Sequence, residues 1–125
     1  MRTNFGAKPW VYPMPVFIIA TYDENGKANA MNAAWGGISC DTEICICMGE
    51  NHQTTENLKK NPEFTVSIAD VKHIVACDYV GIVSGKDTLD KMEKAGFTTS
   101  DPVSHAYVEC SQKVGNAFKD GLVLK

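Results

Sequence analysis

The sequence lacks most of the signatures that announce a chemistry. In its 125 residues there is no C-x-x-C pair, nucleophile elbow, P-loop, G-x-G-x-x-G or H-E-x-x-H, so hydrolytic chemistry has no support from motifs. The histidines stand apart at His52, His73 and His105, and none has a partner at zinc-ligand spacing. Asp70, Asp78 and Asp87 are separated by predicted helix and loop, and no carboxylate pair can be read from them. No apolar run reaches the ~18 residues of a membrane span. The Met1 end carries Arg2, Asn4 and Lys8 before Pro9 without an apolar stretch. These features predict a cytoplasmic protein with no membrane partner. A clustered basic face is lacking as well. The net charge is −3, the pI is near 5.5, and Lys59-Lys60 is the densest basic spot, which argues against nucleic acid as a partner.

What is present is ordinary for a globular chain: 44% hydrophobic and 22% charged residues. The length predicts one domain over residues 1–125, near the size at which a second subunit or a cofactor adds needed stability. Five cysteines, Cys40, Cys45, Cys47, Cys77 and Cys110, make an odd set, which fits reduced thiols rather than a disulfide framework. Cys45 and Cys47 sit two apart in an apolar run. On a strand they share one face, and the simplest expectation is two small buried hydrophobes.

Residues 28–39, Ala-Asn-Ala-Met-Asn-Ala-Ala-Trp-Gly-Gly-Ile-Ser, are the organising stretch. Where a core strand would carry Val, Ile or Leu, this one carries alanines, glycines and two amides. Asn29 and Asn32 can donate and accept hydrogen bonds, Ala30, Ala33 and Ala34 leave backbone uncovered, and Met31 and Trp35 offer apolar walls. That combination suits a flat polar ring lying against the chain. A Gly-rich strand bending at a barrel corner is the alternative.

Pro9, Pro13 and Pro15 favour an extended N-terminal arm, with Trp10 and Tyr12 as its anchors on the body. Residues 16–22 form a β-branched and aromatic strand, and Asp23-Glu-Asn-Gly26 turns it into a hairpin whose second arm is the organising stretch. Residues 43–48 give a third strand. A short helix begins near Gln53 or Thr54, with a hydroxyl available as cap and lysines at its end. Its start, with His52, Thr54 and Thr55, reads either as a phosphate cradle or as simple N-capping, and Glu56 in the first turn competes with an anion. Asn61-Pro62 ends that helix and residues 63–69 form a fourth strand. A second helix is expected over residues 71–82. A third is expected over 86–96, with Asp87 or Thr88 as cap, Leu89, Met92 and Ala95 on one side and Gly96 as stop. Residues 105–110 read as a short strand and 114–125 as a Gly-punctuated tail.

Several of these segments together resemble one family. The run from Lys8-Pro-Trp-Val-Tyr-Pro through Asn29-Ala-Met-Asn-Ala-Ala-Trp-Gly-Gly, then His52-Gln-Thr-Thr-Glu-Asn-Leu, Pro62-Glu-Phe-Thr-Val-Ser-Ile, Asp78-Tyr-Val-Gly-Ile-Val-Ser-Gly and Lys94-Ala-Gly-Phe, is similar to the flavoredoxin and flavin-reductase-like proteins. Gly115-Asn-Ala-Phe-Lys-Asp-Gly121 resembles that family's C-terminal end. The resemblance implies a mainly β fold with two or three helices, an FMN-binding split β-barrel shortened in its C-terminal half. Only Ser111 to Val114 stand where the family carries further strands, and sheet edges exposed by that shortening would need cover. It implies non-covalent FMN, with Asn29, Met31, Asn32, Ala33, Ala34 and Trp35 at the isoalloxazine and ribityl chain and His52, Thr54 and Thr55 at the phosphate. It further implies a homodimer with the flavin near the subunit interface, and NAD(P)H or a redox protein as electron donor. No catalytic acid or base and no metal follows from it.

Three functions fit these readings. The first is an FMN-binding oxidoreductase carrying electrons through the flavin. The second is a non-catalytic flavin-binding or interaction module that lacks a donor site. The third is a thiol redox protein working through Cys45, Cys47 or Cys77, which burial on a strand would disfavour.

Overall fold

The run Phe-Ile-Ile-Ala-Thr-Tyr is apolar at consecutive positions, the pattern of a strand covered on both faces. It forms β1 (Phe17–Tyr22), with Ile18 2% and Ile19 0% exposed. The computed structural model describes residues 1–8 and 10–98; the strand and tail expected over residues 105–125 lie outside them. Asp23 closes the predicted hairpin. Its Oδ1 accepts the N–H groups of Asn25 and Lys27, both at 2.8 Å, and Gly26 takes the left-handed φ of +76° that the turn requires. β2 (Ala28–Ala33) then pairs antiparallel with β1 from Phe17↔Ala33 to Tyr22↔Ala28.

The expected second arm does not continue to residue 39. It breaks at Ala34-Trp35, and β3 (Gly36–Cys40) pairs instead with β4 (Glu43–Ile46) in a separate two-stranded sheet. β5 (Thr65–Ile68) adds to the far side of β1, giving the order β2-β1-β5. Three helices accompany the strands: α1 (Gln53–Lys60), α2 (Ile74–Ile82) and α3 (Lys91–Ala95). This strand-rich arrangement keeps its two sheets separate among the described residues.

Alternation along β1 and β2 divides the core. Ile18, Ala20 and Ala30 pack with Cys77 and Val80 of α2, Met92 of α3 and Phe97, whereas Phe17, Ile19 and Ala33 form a smaller cluster with Met31 and Ile46 on the opposite face. α1 is attached differently. Leu58 is its only apolar residue, and its buried face consists of Thr54 and Asn57. Asn57 Nδ2 donates to Thr21 Oγ1 on β1 at 3.0 Å, Asn29 Nδ2 on β2 donates to Thr54 Oγ1 at 2.8 Å, and Gln53 Nε2 donates to Asn57 Oδ1 at 2.7 Å. Buried hydrogen bonds therefore set where α1 sits.

Several sequence expectations are corrected. His52, not a hydroxyl, is the N-cap of α1, and it makes no side-chain capping bond among the described residues. Thr54 is engaged by Asn29, and Thr55 Oγ1 donates to the Gly49 carbonyl at 2.8 Å. α2 starts later than residue 71, because Asp70 Oδ1 accepts the His73 N–H at 2.8 Å and folds the preceding residues into a turn. α3 starts at Lys91 after the cap position Asp90, since Asp87 and Thr88 both donate their N–H groups to the Ser84 carbonyl in a turn. Leu89 thus lies outside the helix and is 74% exposed. Gly96 does end α3, at φ +69°. Trp10 and Tyr12 are exposed rather than anchored to the body; Trp10 meets Phe5, with ring centroids 5.2 Å apart. Cys45 and Cys47 are also exposed. Cys45 lies across from Gly37, where a side chain would find open space, so no cross-strand neighbour covers it.

Asn57→Ala is predicted to leave the buried Thr21 hydroxyl without its partner. The expected loss is about 1–3 kcal/mol of unfolding free energy in a urea titration; an unchanged midpoint would contradict polar docking of α1.

Candidate functional site

β2 is an edge strand: among the described residues it has β1 on one side only. Along its other side runs a cleft of about 290 Å³ walled by β2, residues 34–35, the 47–54 segment and the end of α2 with residues 83–85, at the lower end of ligand-site volumes. Asn29, Met31, Asn32, Ala33, Ala34, Trp35, His52 and Thr54 all line it. Thr55 does not, because its hydroxyl turns to the Gly49 carbonyl.

Asn29 and Asn32 are three residues apart and so lie on opposite faces of β2. They meet in one cleft because the end of α2 passes Asn32 and the chain just after it passes Asn29. The α2 backbone comes so close to Asn32 at Gly81 that a Cβ there would lie 2.7 Å from Asn32 Cγ, and a Cβ at Gly85 would overlap Asn29 Oδ1. Gly81 and Gly85 are therefore requirements of the site. Neither role could be read from the sequence, because the neighbour of each glycine depends on how α2 packs.

The electrostatics are uneven. Asn29 is 6% exposed, its Nδ2 is held by Thr54, and its Oδ1 is buried without a hydrogen-bond partner among the described residues; Asn32 Oδ1 is in the same condition. Two buried acceptors at a cleft wall are costly unless a ligand or water supplies donors. Gln53 and Thr54, at the start of α1, line the same cleft, and the first-turn N–H groups of any helix have no intrahelical acceptor. The expected competitor of an anion there, Glu56, is tied to Lys86 Nζ at 2.5 Å, and this hydrogen bond holds its carboxyl below the ordinary value.

Lys91 escaped the sequence reading. It is 4% exposed, borders the cleft, and its Nζ donates to the Ala30 carbonyl on β2 at 2.6 Å. An outward-facing edge carbonyl is thereby satisfied by an ammonium. Burial pushes the Lys91 pKa down to about 8. Cys47 and Met48 were likewise not expected in the wall. Among the described residues, no group of three or more His, Cys, Asp or Glu could hold a metal ion.

The flavin reductase like domain model matches residues 10–116. The chain belongs to that family. Among solved structures, the flavoredoxin of Desulfovibrio vulgaris (Miyazaki F) shares 34% identity at a TM-score of 0.70, with 78% of this chain and 54% of that one covered. A flavoredoxin from Methanosarcina acetivorans, at 24% identity and TM-score 0.64, covers 81% of this chain and 54% of its own. An FMN-binding domain of a flavin reductases-like enzyme from Shewanella baltica OS155 gives 17%, 0.60, 80% and 49% respectively. The last two show the fold alone. The chain spans about half the length of each of these relatives. No curated protein matches it.

The lysine gives a test independent of any ligand. Unfolded, Lys91 titrates near 10.5, and in the fold near 8. Between these values the unfolded chain binds the extra proton, so stability rises with pH across that window, and the cost of the buried charge is fully present below it. The difference in unfolding free energy between wild type and Lys91→Met is predicted to shift toward wild type by about 3 kcal/mol from below to above the window. A flat difference would contradict a buried, desolvated ammonium.

Proposed function

We propose that this chain binds FMN non-covalently in the cleft along β2 and serves as an FMN-dependent oxidoreductase of the flavoredoxin and flavin-reductase kind. The observation that carries this reading is the pair of buried acceptors, Asn29 Oδ1 and Asn32 Oδ1, that have no hydrogen-bond partner among the described residues. FMN offers what they lack, through its ring N–H and ribityl hydroxyls. The other walls suit the same ligand: Met31, Trp35 and Met48 are apolar surface for a flat ring, and the alanines at 33 and 34 leave it room. The α1 N-terminus with His52 and Thr54 is suited to a phosphate, because free N–H groups and the helix dipole favour an anion there. Lys91 brings one ammonium to the wall and fixes the β2 edge through Ala30.

Bound there, the flavin would supply electron transfer, while the protein supplies position, exclusion of water and local charge. The reading extends to a cytoplasmic homodimer fed by NAD(P)H or a redox protein. The free, exposed thiols of Cys40, Cys45 and Cys47 are in keeping with a reducing compartment. Val66 and Ile68 on β5 and Ile74, Val75 and Ile82 on α2 are exposed apolar side chains of the kind a second subunit would cover. The alternative reading is a flavin-binding module without a donor site.

Purified protein mixed with excess FMN and desalted is expected to keep flavin absorption bands. Asn32→Ala and Thr54→Ala should each weaken FMN by about 1–3 kcal/mol. Bleaching by NADH or NADPH supports the reductase, and reduction by dithionite alone supports the module. Colourless desalted protein, or unchanged affinity in both variants, would remove the site assignment.

A further inference from the structure

Cys47 follows β4, and its backbone N–H donates to the Trp35 carbonyl at 2.7 Å. That bond fixes the residue beside the tryptophan, with an exposed thiol in the cleft wall. The other described cysteines differ. Cys45 and Cys40 are exposed but do not border the cleft, and Cys77 is buried in the core. One thiol of these four therefore shares space with whatever the cleft holds. Independently of the cysteine, Asn29 Oδ1, buried and unpaired in the same wall, indicates that the cleft accepts a ligand bearing hydrogen-bond donors.

We propose that Cys47 is a thiol modification site that controls occupancy of the cleft. A low-molecular-weight disulfide of the glutathione disulfide class is the co-reactant. The Cys47 thiolate attacks one sulfur of that disulfide, a Cys47–sulfur bond forms as the original S–S bond breaks, and the displaced thiolate takes up a proton equivalent to the one Cys47 released. Electrons balance, since one disulfide replaces another. The added group then stands between Trp35 and Met48, in the volume a flat ligand needs. Excess thiol reverses the exchange and reopens the cleft. Linkage makes the relation mutual: a bound ligand disfavours the adduct to the same degree that the adduct disfavours the ligand. The identity of that ligand as FMN rests on the function proposed above.

The test uses the full chain with and without saturating FMN, alkylated with iodoacetamide over time and read peptide by peptide by mass spectrometry. FMN is expected to slow labelling of Cys47 by about tenfold or more while Cys40 and Cys45 label at unchanged rates. Treatment with glutathione disulfide should lower flavin retention after desalting, dithiothreitol should restore it, and in Cys47→Ser flavin retention should no longer respond to the disulfide. If the protein retains FMN but Cys47 labels equally fast with it, the inference is overturned and the flavin reading stands. If the untreated protein retains no FMN, the flavin reading and this inference fall together.

Discussion

The Asn29 side chain is anchored at one end and open at the other. Its Nδ2 donates to Thr54 Oγ1 inside the protein, and its Oδ1 is buried, without a partner among the described residues, and borders the cleft. Much else follows from holding an amide this way. Thr54 must face inward, which leaves His52 to cap α1 without a side-chain bond. Residue 85 must be glycine, because any Cβ there would meet the amide oxygen. α1, with almost nothing apolar to bury, is placed by Asn29, Thr21 and Asn57 through hydrogen bonds whose geometry is far more exacting than that of a greasy contact.

Around that amide the fold leaves a strand edge open and then manages it. β2 carries alanines and amides, so the segment from Gly81 to Gly85 can pass close by, and Lys91 reaches in to satisfy the Ala30 carbonyl. The arrangement costs stability: two unpaired amide oxygens and a desolvated ammonium sit in one small region. A protein tends to keep such costs where a ligand offsets them, and a flavin with its ring N–H and ribityl hydroxyls is a ligand of that chemistry.

The hairpin, the helix start at Gln53 and the stop at Gly96 were legible because each depends on a few adjacent residues: Asp23 and Gly26 in the turn, the polar run before α1, and a glycine able to take positive φ. Eight of the nine site residues implied by the family resemblance line one cleft, and six of them, in residues 29–35, also stood out as small, amide or apolar-wall residues where a core strand would carry Val, Ile or Leu. Features set by distant neighbours were not legible. Burial of Cys45 depended on its cross-strand partner, and that partner is Gly37, which covers nothing. Lys91 carried no signal in the sequence, since only the edge position of β2 gives its ammonium a buried acceptor. Thr55 was grouped with Thr54 by sequence adjacency, but successive residues on a helix point in different directions, and its hydroxyl ties down Gly49 instead. The length of α3 was overestimated because the turn at Ser84 consumes the residues that looked like its first turn.

A crystal structure of the protein grown with FMN tests the central claim most directly. The account predicts flavin density along the β2 edge, with Asn29 Oδ1 and Asn32 Oδ1 each within hydrogen-bond distance of a ligand donor and the phosphate at the start of α1. Flavin bound elsewhere, or bound in the cleft with both amide oxygens still unpaired, would contradict it.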